Sequence, residues 1–324
     1  MIPLISLIAP VYGVEKYIRN FIISVKNQTF KNFELLLIND GTQDNSIKIA
    51  EAELKDSKIN YKIINKLNGG QSSARNCGIL NAKGDWVAIV DSDDTLQTNY
   101  LQNMYDVSQK VESCDVVVCD INRVSDLNCF AESNDKFMYE VYDGKTVFKQ
   151  FFMHELEAGP YSLLINRHYL EKINLLYEEK SRYSEEFIFI CNLFHDAKTV
   201  IHINQRLYNY CLRNGSVSTA ASIEKIYNGF NEILKSNKKY INCNCDFCKD
   251  YIKYGMPRWI VATARFCSNN MNYKQYRSLM QKLDYKKYIK QALKFPKISI
   301  KLAAFCINFS LPCAYIVFRS KGEK

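Results

Sequence analysis

An acidic run closes an apolar stretch: WVAIV (86–90) is followed at once by DSDD (91–94). Asp91 and Asp93, flanking Ser92, have the spacing at which two carboxylates at a strand end can divide one task. One accepts hydrogen bonds from a ribose hydroxyl, while the next ligates a divalent cation that also holds phosphate oxygens. Mg²⁺ and Mn²⁺ take oxygen ligands and bind through one or two carboxylates plus substrate phosphates. The same residues could form only a solvated turn that caps the next helix, so the run gains meaning from its companions. Asp40 ends FELLLIN (33–39) and precedes Gly41, a pattern that suits a turn as well as a ligand contact. Gly69-Gly70 open a helical pattern carrying Arg75 and Asn76, and a glycine pair there lets backbone N–H groups approach a phosphate. Glu185 and Glu186 follow Ser184 at the start of another helical pattern. Acidic residues in a first turn ordinarily complement the helix dipole. One of them can also take a proton from a sugar hydroxyl, and a carboxylate at a helix N-terminus is favoured as the ion a base must be.

Positioning these groups requires alternating strands and helices. Apolar runs at 4–9, 33–38, 61–65, 86–90 and 115–119 predict buried strands, the first ending at Pro10. Between them, residues 15–27 place Tyr17, Ile18, Phe21, Ile22 and Val25 on one helical face, Asp44 can cap a helix reaching about Leu54, and a third helix starts near Ser72. Continuous apolar strands alternating with helices predict an α/β fold whose mostly parallel sheet is covered on both faces. Ligands in such sheets bind at the carboxyl ends of the strands, where Asp40, Gly69-Gly70 and the DSDD run all fall. Further on, the pattern predicts a strand at 136–142, a strand–helix unit at 162–172, a helix from 184 to about 195, and two short strands at 199–203 and 207–211. From Ile223 onward it is helical.

The 324 residues, 47% hydrophobic and 24% charged, suffice for one large α/β domain plus an accessory region. The opening residues read as a strand and lack the basic start of a signal peptide, so the twelve cysteines are expected to be reduced thiols in a cytoplasmic protein. Cys243, Cys245 and Cys248 lack a fourth ligand and are not read as a zinc site. Of the net charge of +9, residues 285–324 hold +8, from nine Lys/Arg and one Glu. These cations alternate with apolar residues such as Ile298, Leu302, Phe305 and Phe309, which fits adsorption to an anionic membrane. A nucleic-acid partner is not expected, because the basic residues sit among aliphatics and not on an aromatic stacking platform. Lys301, Asn308, Ser310 and Pro312 argue against a simple membrane-spanning helix.

The blocks ISLIAPVYGVEKYI, FELLLINDGTQDNS, NGGQSSARNCGI and GDWVAIVDSDD occur in that order and closely resemble the inverting family 2 glycosyltransferases of the GT-A (Rossmann-like) fold. The resemblance is dense over about residues 3–100 and continues more thinly through RYSEEFIFICNLF and LYNYCLRNGSVS to about 219. It implies a glycosyltransferase domain over 1–219, with nucleotide-sugar binding in 1–100 and acceptor binding in 101–219. Residues 220–324 resemble the helical tails of capsule and lipopolysaccharide members. By this resemblance, Pro10, Val11 and Tyr12 line the nucleotide with Glu15 nearby, and Asp40 contacts the base. Arg75 lies by the nucleotide and phosphates, Asp91 touches the ribose with Ser92 also on the donor side, and Asp93 holds Mn²⁺ or Mg²⁺. Glu186 is the implied base, with Glu185 and Arg213 on the acceptor or diphosphate side. The implied partners are a nucleotide sugar, above all a UDP-sugar, and a saccharide acceptor carried on a lipid at the inner face of the cell membrane.

Three positions depart from the family pattern. Glu186 stands where an Asp is usual, Tyr161-Ser162-Leu163-Leu164 replaces a block that usually carries a Lys, and Cys211 stands where Arg is frequent. These bear on the acceptor more than on the donor. Two other readings stay open on the residues alone: a donor-binding scaffold without activity, and a nucleotidyltransferase on a similar sheet. The second would need a glycine-rich triphosphate loop, and VYGVEKYIRN after the first strand lacks the repeated glycines.

Overall fold

The computed structural model describes residues 3–125, 129–130, 135–153, 156, 159–179, 184–212, 222–242 and 245–320. The chain divides into two compact units. The first comprises Met1–Val147, Leu156–Lys180 and Glu185–Asn214; the second comprises Phe148–Glu155, Ser181–Ser184 and Gly215–Lys324.

In the first unit the elements follow as β1 (Ile5–Val11), α1 (Ile18–Lys26), β2 (Phe33–Asn39), α2 (Ser46–Leu54), β3 (Asn60–Asn65), α3 (Gln71–Asn81) and β4 (Trp86–Ile89). Next come β5 (Thr95–Leu96), α4 (Tyr100–Ser108), β6 (Val116–Ser125), β7 (Tyr139–Tyr142) and α5 (Gly144–Met153), whose residues from Phe148 on belong to the second unit. A 3-10 turn at Pro160–Ser162 leads into β8 (Leu163–Asn166), α6 (Arg167–Lys172), α7 (Glu185–His195) and β9 (Val200–Leu212). The strands form one sheet in the order β3-β2-β1-β4-β8-β6-β9-β5, with β7 also paired to β9.

The early half, β3-β2-β1-β4, is parallel throughout, as expected, but β3, expected as a buried strand, is an edge strand with no buried residue. Beyond β4 the sheet is mixed: β8 runs antiparallel to both β4 and β6, and β9 is parallel to β6 but antiparallel to β5 and β7. The parallel expectation therefore applies to the early half of the sheet and to the β6–β9 pair. The first strand continues past Pro10 to Val11. By then its pairing with β4 has ended at Ile8, so the missing proline N–H costs no bond on that side.

The two short strands expected at 199–203 and 207–211 are one strand, β9. Its offset from β6 grows from 84 residues (Val116 with Val200) to 87 (Ser125 with Leu212) through register breaks beside Asp120. The polar Asn204-Gln205-Arg206 segment that reads as a turn is a bulge that keeps the ladder going.

The core of this unit gathers Leu7, Ala9, Val11, Phe21, Leu35, Leu37, Ala88 and Val117, among others, at or near zero exposure. Each large side chain so buried contributes about 1.5–3 kcal/mol. Helix α3 lies directly on β1. Gly78 permits this, since a side chain there would collide with Ile8.

The second unit is helical, as expected from Ile223 onward: α8 (Ile223–Ile241), α9 (Asp246–Asp250), a π turn at Tyr251–Gly255, α10 (Met256–Asn270), α11 (Tyr273–Lys282), α12 (Tyr285–Ala292), α13 (Ile298–Phe309) and α14 (Leu311–Ser320). Aromatic contacts tie it together. Tyr251 packs on Phe148 and Tyr240, Phe230 stacks on Trp259, and the Tyr315 hydroxyl donates to the Met271 carbonyl at 2.8 Å. Ser310 divides the apolar tail into α13 and α14. Among the described residues, no helix is long and apolar enough to cross a membrane. Cys245 and Cys248 are described, whereas Cys243 lies outside the described residues.

Candidate active site

At the carboxyl ends of β1 and β2 the chain builds a rigid shelf. Pro10 and Val11 close β1, with Val11 buried, and Tyr12 projects 57% exposed. The Glu15 carboxylate accepts from both the backbone and the side chain of Asn45, which holds it below its ordinary pKa and fastens the β1–α1 loop to the start of α2. Asp44 caps α2 through its bonds from the Ser46 N–H and hydroxyl, and its other oxygen accepts from the Glu15 N–H at 2.9 Å. Buried Asp40 accepts from Lys66 Nζ at 2.6 Å, from the Gly69 N–H at 2.9 Å and from the Gly70 N–H at 2.8 Å. This corrects the expectation that the glycine pair offers its N–H groups to a phosphate: both are given to Asp40. Gly70 needs to be glycine because its φ of +87° is in the left-handed region.

The DSDD run turns sharply after β4. Asp91 Oδ1 accepts from Arg75 Nη2 at 3.0 Å and from Gln71 Nε2 at 3.1 Å. The Ser92 hydroxyl donates to the Pro10 carbonyl at 2.5 Å, tying this turn to the end of β1. Asp93 is half-buried. Asp94, absent from the expected site, is buried with both oxygens engaged: Oδ2 accepts from the Tyr208 hydroxyl at 2.7 Å and Oδ1 from the Cys211 N–H at 2.8 Å. Burial, followed by the neighbouring Asp91 charge, raises Asp94 well above the usual carboxylate range. The Tyr208 hydroxyl also accepts from the Asp91 N–H at 3.2 Å, so one phenol on β9 spans the turn.

Oxygens of Asp91, Asp93 and Asp94 lie within 4.8 Å of one another. This all-oxygen set suits Mg²⁺ or Mn²⁺. Asp94 has both oxygens engaged by Tyr208 and Cys211, and Asp91 has Oδ1 engaged by Arg75 and Gln71.

Arg75 joins this turn to the far side of the site. Fully buried on α3, its guanidinium reaches Asp91 at 3.0 Å and Glu186 Oε1 at 2.9 Å through the same Nη2, and it lies 5.2 Å from the Tyr177 ring centroid. Burial opposes its charge, but Glu186 and Asp91 more than offset that and raise its pKa. Arg75 Nε and Nη1 are buried without a hydrogen-bond partner among the described residues.

Glu186 is 40% exposed by side chain, whereas its neighbour Glu185 turns inward with a buried Oε2 that has no hydrogen-bond partner among the described residues. Burial pushes Glu185 up to about 7, aided by Glu186 and opposed by its own backbone N–H and by Arg75. The expectation that a first-turn carboxylate is held as an ion therefore fails for Glu185, where desolvation exceeds the pull of the helix end.

Tyr161 completes the floor, with its ring 4.9 Å from that of Tyr208 and 5.6 Å from that of Tyr210. Burial, then Glu186 and Asp91, raise its phenol. Asn76 links α3 to the 177–179 segment, donating to the Tyr177 carbonyl and accepting its N–H. Arg213 and Ser216 lie outside the described residues.

The structure thus brings Asp91, Arg75 and Glu186 into one connected group and places Asp40 and Glu15 in the supporting shelf. Sequence reasoning missed Asp94, Tyr208 and Lys66. Only Asp94 carried a local signal, as the fourth residue of the acidic run.

A parallel half-sheet, an acidic turn at a strand end and a carboxylate at a later helix start define a GT-A-type glycosyltransferase fold. The profile of glycosyl transferase family 2 matches residues 6–173, and the chain belongs to that family. It is 32% identical over 222 residues to the uncharacterized glycosyltransferase EpsJ of Bacillus subtilis (strain 168), covering 65% of this chain and 61% of that protein. It is 31% identical to the glycosyltransferase GlyA of Streptococcus pneumoniae serotype 4, covering 66% of this chain and 31% of that one. The minor teichoic acid biosynthesis protein GgaA of B. subtilis is 30% identical, over 63% of this chain and 46% of GgaA. The chain thus spans less than two thirds of the length of these relatives. In fold it is similar to S. aureus TarS 1-349 in complex with UDP-GlcNAc, with a TM-score of 0.64, 18% identity, and coverage of 98% of this chain and 91% of that one. It also resembles the mannosyltransferase PcManGT of Pyrobaculum calidifontis in complex with GDP-Man and Mn²⁺, with a TM-score of 0.56, 11% identity, and coverage of 95% and 88%.

Proposed function

We propose that this protein transfers a sugar from a UDP-sugar to a saccharide acceptor carried on a lipid, with inversion, during assembly of a bacterial surface polysaccharide. The observation that carries this reading is the Asp91–Arg75–Glu186 chain, in which one buried guanidinium links the strand-end acidic turn to the candidate base. The teichoic acid name of GgaA and the UDP-GlcNAc bound to TarS support the acceptor and donor classes.

In this reading, the shelf of Pro10, Val11, Tyr12, Glu15 and Asp40 receives the nucleoside, and the turn of Asp91, Ser92 and Asp93 receives the ribose and diphosphate. Asp93, together with Asp91, would hold Mn²⁺ or Mg²⁺, which supplies Lewis-acid neutralisation of the leaving diphosphate. Glu186 takes the proton of the acceptor hydroxyl as its oxygen attacks the anomeric carbon from the face opposite the diphosphate. A single displacement of this kind turns an α-linked donor into a β-glycoside. Glu185 lines the acceptor or diphosphate side. The protein acts as a peripheral one on the cytoplasmic face of the membrane, where a lipid-linked acceptor is met in two dimensions.

The test is a donor screen with UDP-, GDP- and dTDP-sugars, following nucleotide release with Mn²⁺, with EDTA, and for Asp93→Asn. EDTA-sensitive release from a UDP-sugar that Asp93→Asn abolishes is expected. Release that is indifferent to EDTA and to Asp93→Asn would remove the metal from the scheme, and turnover of only GDP- or dTDP-sugars would overturn the donor class.

A further inference from the structure

Helix α13 is apolar on two opposite sides. Ile300, Ala303, Ala304 and Ile307 are at most 3% exposed and face inward. On the other side Ile298, Leu302, Phe305 and Phe309 are 70%, 59%, 57% and 77% exposed. At 100° per residue these four fall within about 60° of arc, a single stripe along the helix. The Phe305 and Phe309 rings are stacked within it, with centroids 6.1 Å apart. Helix α14 repeats the arrangement: Pro312 and Ile316 share an exposed face with Arg319.

The charge around these faces has one sign. Residues 285–320 contain seven cations and no acidic residue. Lys301 is exposed one step around α13 from the stripe, Lys294 and Lys297 precede it, and α12, which packs on α13, exposes Lys286, Lys287 and Lys290.

We infer that the exposed face of α13 and α14 is a docking surface for an anionic lipid bilayer. The apolar stripe enters the acyl boundary while the surrounding cations meet lipid phosphates. The charge distinguishes this occupant from a second copy of the chain, because pairing two such faces would bring together two like-charged bands. A bilayer with anionic headgroups satisfies both features, which is how an interfacial helix binds without crossing. The inference rests on the membrane-side reading above and adds the surface it requires.

The full chain would be floated with phosphatidylcholine vesicles with and without phosphatidylglycerol, at low and high salt, and as Phe305→Ser/Phe309→Ser and Lys294→Glu/Lys301→Glu variants. Binding only to vesicles containing phosphatidylglycerol, weakened by salt and reduced about tenfold or more in each variant, is expected. As a second measurement, the indole emission of Phe309→Trp should shift to the blue on adding those vesicles. Binding to neither vesicle, equal binding by the variants, or a concentration-dependent dimer abolished by Phe305→Ser/Phe309→Ser would overturn the inference. Donor turnover is read on the same preparations. Its loss in the unmodified chain alone counts against the transferase reading and leaves the vesicle result standing.

Discussion

Arg75 and Glu186 meet at 2.9 Å, and the arginine nitrogen that makes this contact also holds Asp91 at 3.0 Å. A buried cation thus stands between two acidic groups from opposite sides of the site. In Arg75→Met those carboxylates face each other without it. Because Glu186 is partly exposed, solvent screens part of the effect, and a loss of about 1–2 kcal/mol is expected in urea unfolding. Nucleotide-sugar turnover should fall at least tenfold. Unchanged stability together with unchanged turnover would mean that the bridge carries neither role.

Glu186→Gln preserves shape and removes the base. Transfer should slow by about 10²–10⁴-fold. UDP affinity, measured by calorimetry, should stay the same, since the shelf at Asp40 is distant in sequence and separately bonded. Full transfer by this variant would assign the proton to another group.

Tyr208→Phe deletes one hydroxyl that donates to Asp94 and accepts from the Asp91 N–H. A buried carboxylate oxygen is left without its donor, at a cost of about 1–3 kcal/mol. The turn should also hold its carboxylates less firmly, so the Mn²⁺ concentration needed for half-maximal turnover should rise. If stability falls while that concentration does not change, Tyr208 supports the fold alone.

Glu185 gives a pH dependence. Its pKa rises from 4.5 to about 7 in the folded chain, so the fold favours the protonated form. The associated stability is fully present below about pH 4.5 and is lost as pH rises through 7, amounting to about 3 kcal/mol at most. Glu185→Gln, neutral at every pH, should therefore melt a few degrees above the unmodified protein at pH 8.5 and match it near pH 4.5. An equal difference at both pH values would place the effect elsewhere than in ionisation.

Strands β1, β2 and β4 were legible because each is a continuous apolar run closed by a turn signal, and they hold the expected buried residues, whereas β3 (NYKIIN) was expected to be buried and is not, because it lies at the sheet edge. Asp91 and Asp93 were legible for the same reason: they sit where such a run stops. Asp94 shows where that reading fails. Its role depends on Tyr208 and on the Cys211 N–H, more than a hundred residues away, and no local pattern announces that pairing. Cys211 departs from the family in its side chain, yet the bond it gives Asp94 comes from its backbone, which any residue but proline would supply. Glu185 failed for a different reason. Position on a helix is visible in sequence, but the packing that buries its Oε2 is not.

The bulged strand β9 carries a constraint of its own. Three extra residues accumulate against β6 before Tyr208 is reached, and side chains in a strand alternate faces with every residue. Losing or gaining a single residue between Val200 and Leu207 would point Tyr208 away from the acidic turn. Length variation across this stretch should therefore be tolerated only in steps of two.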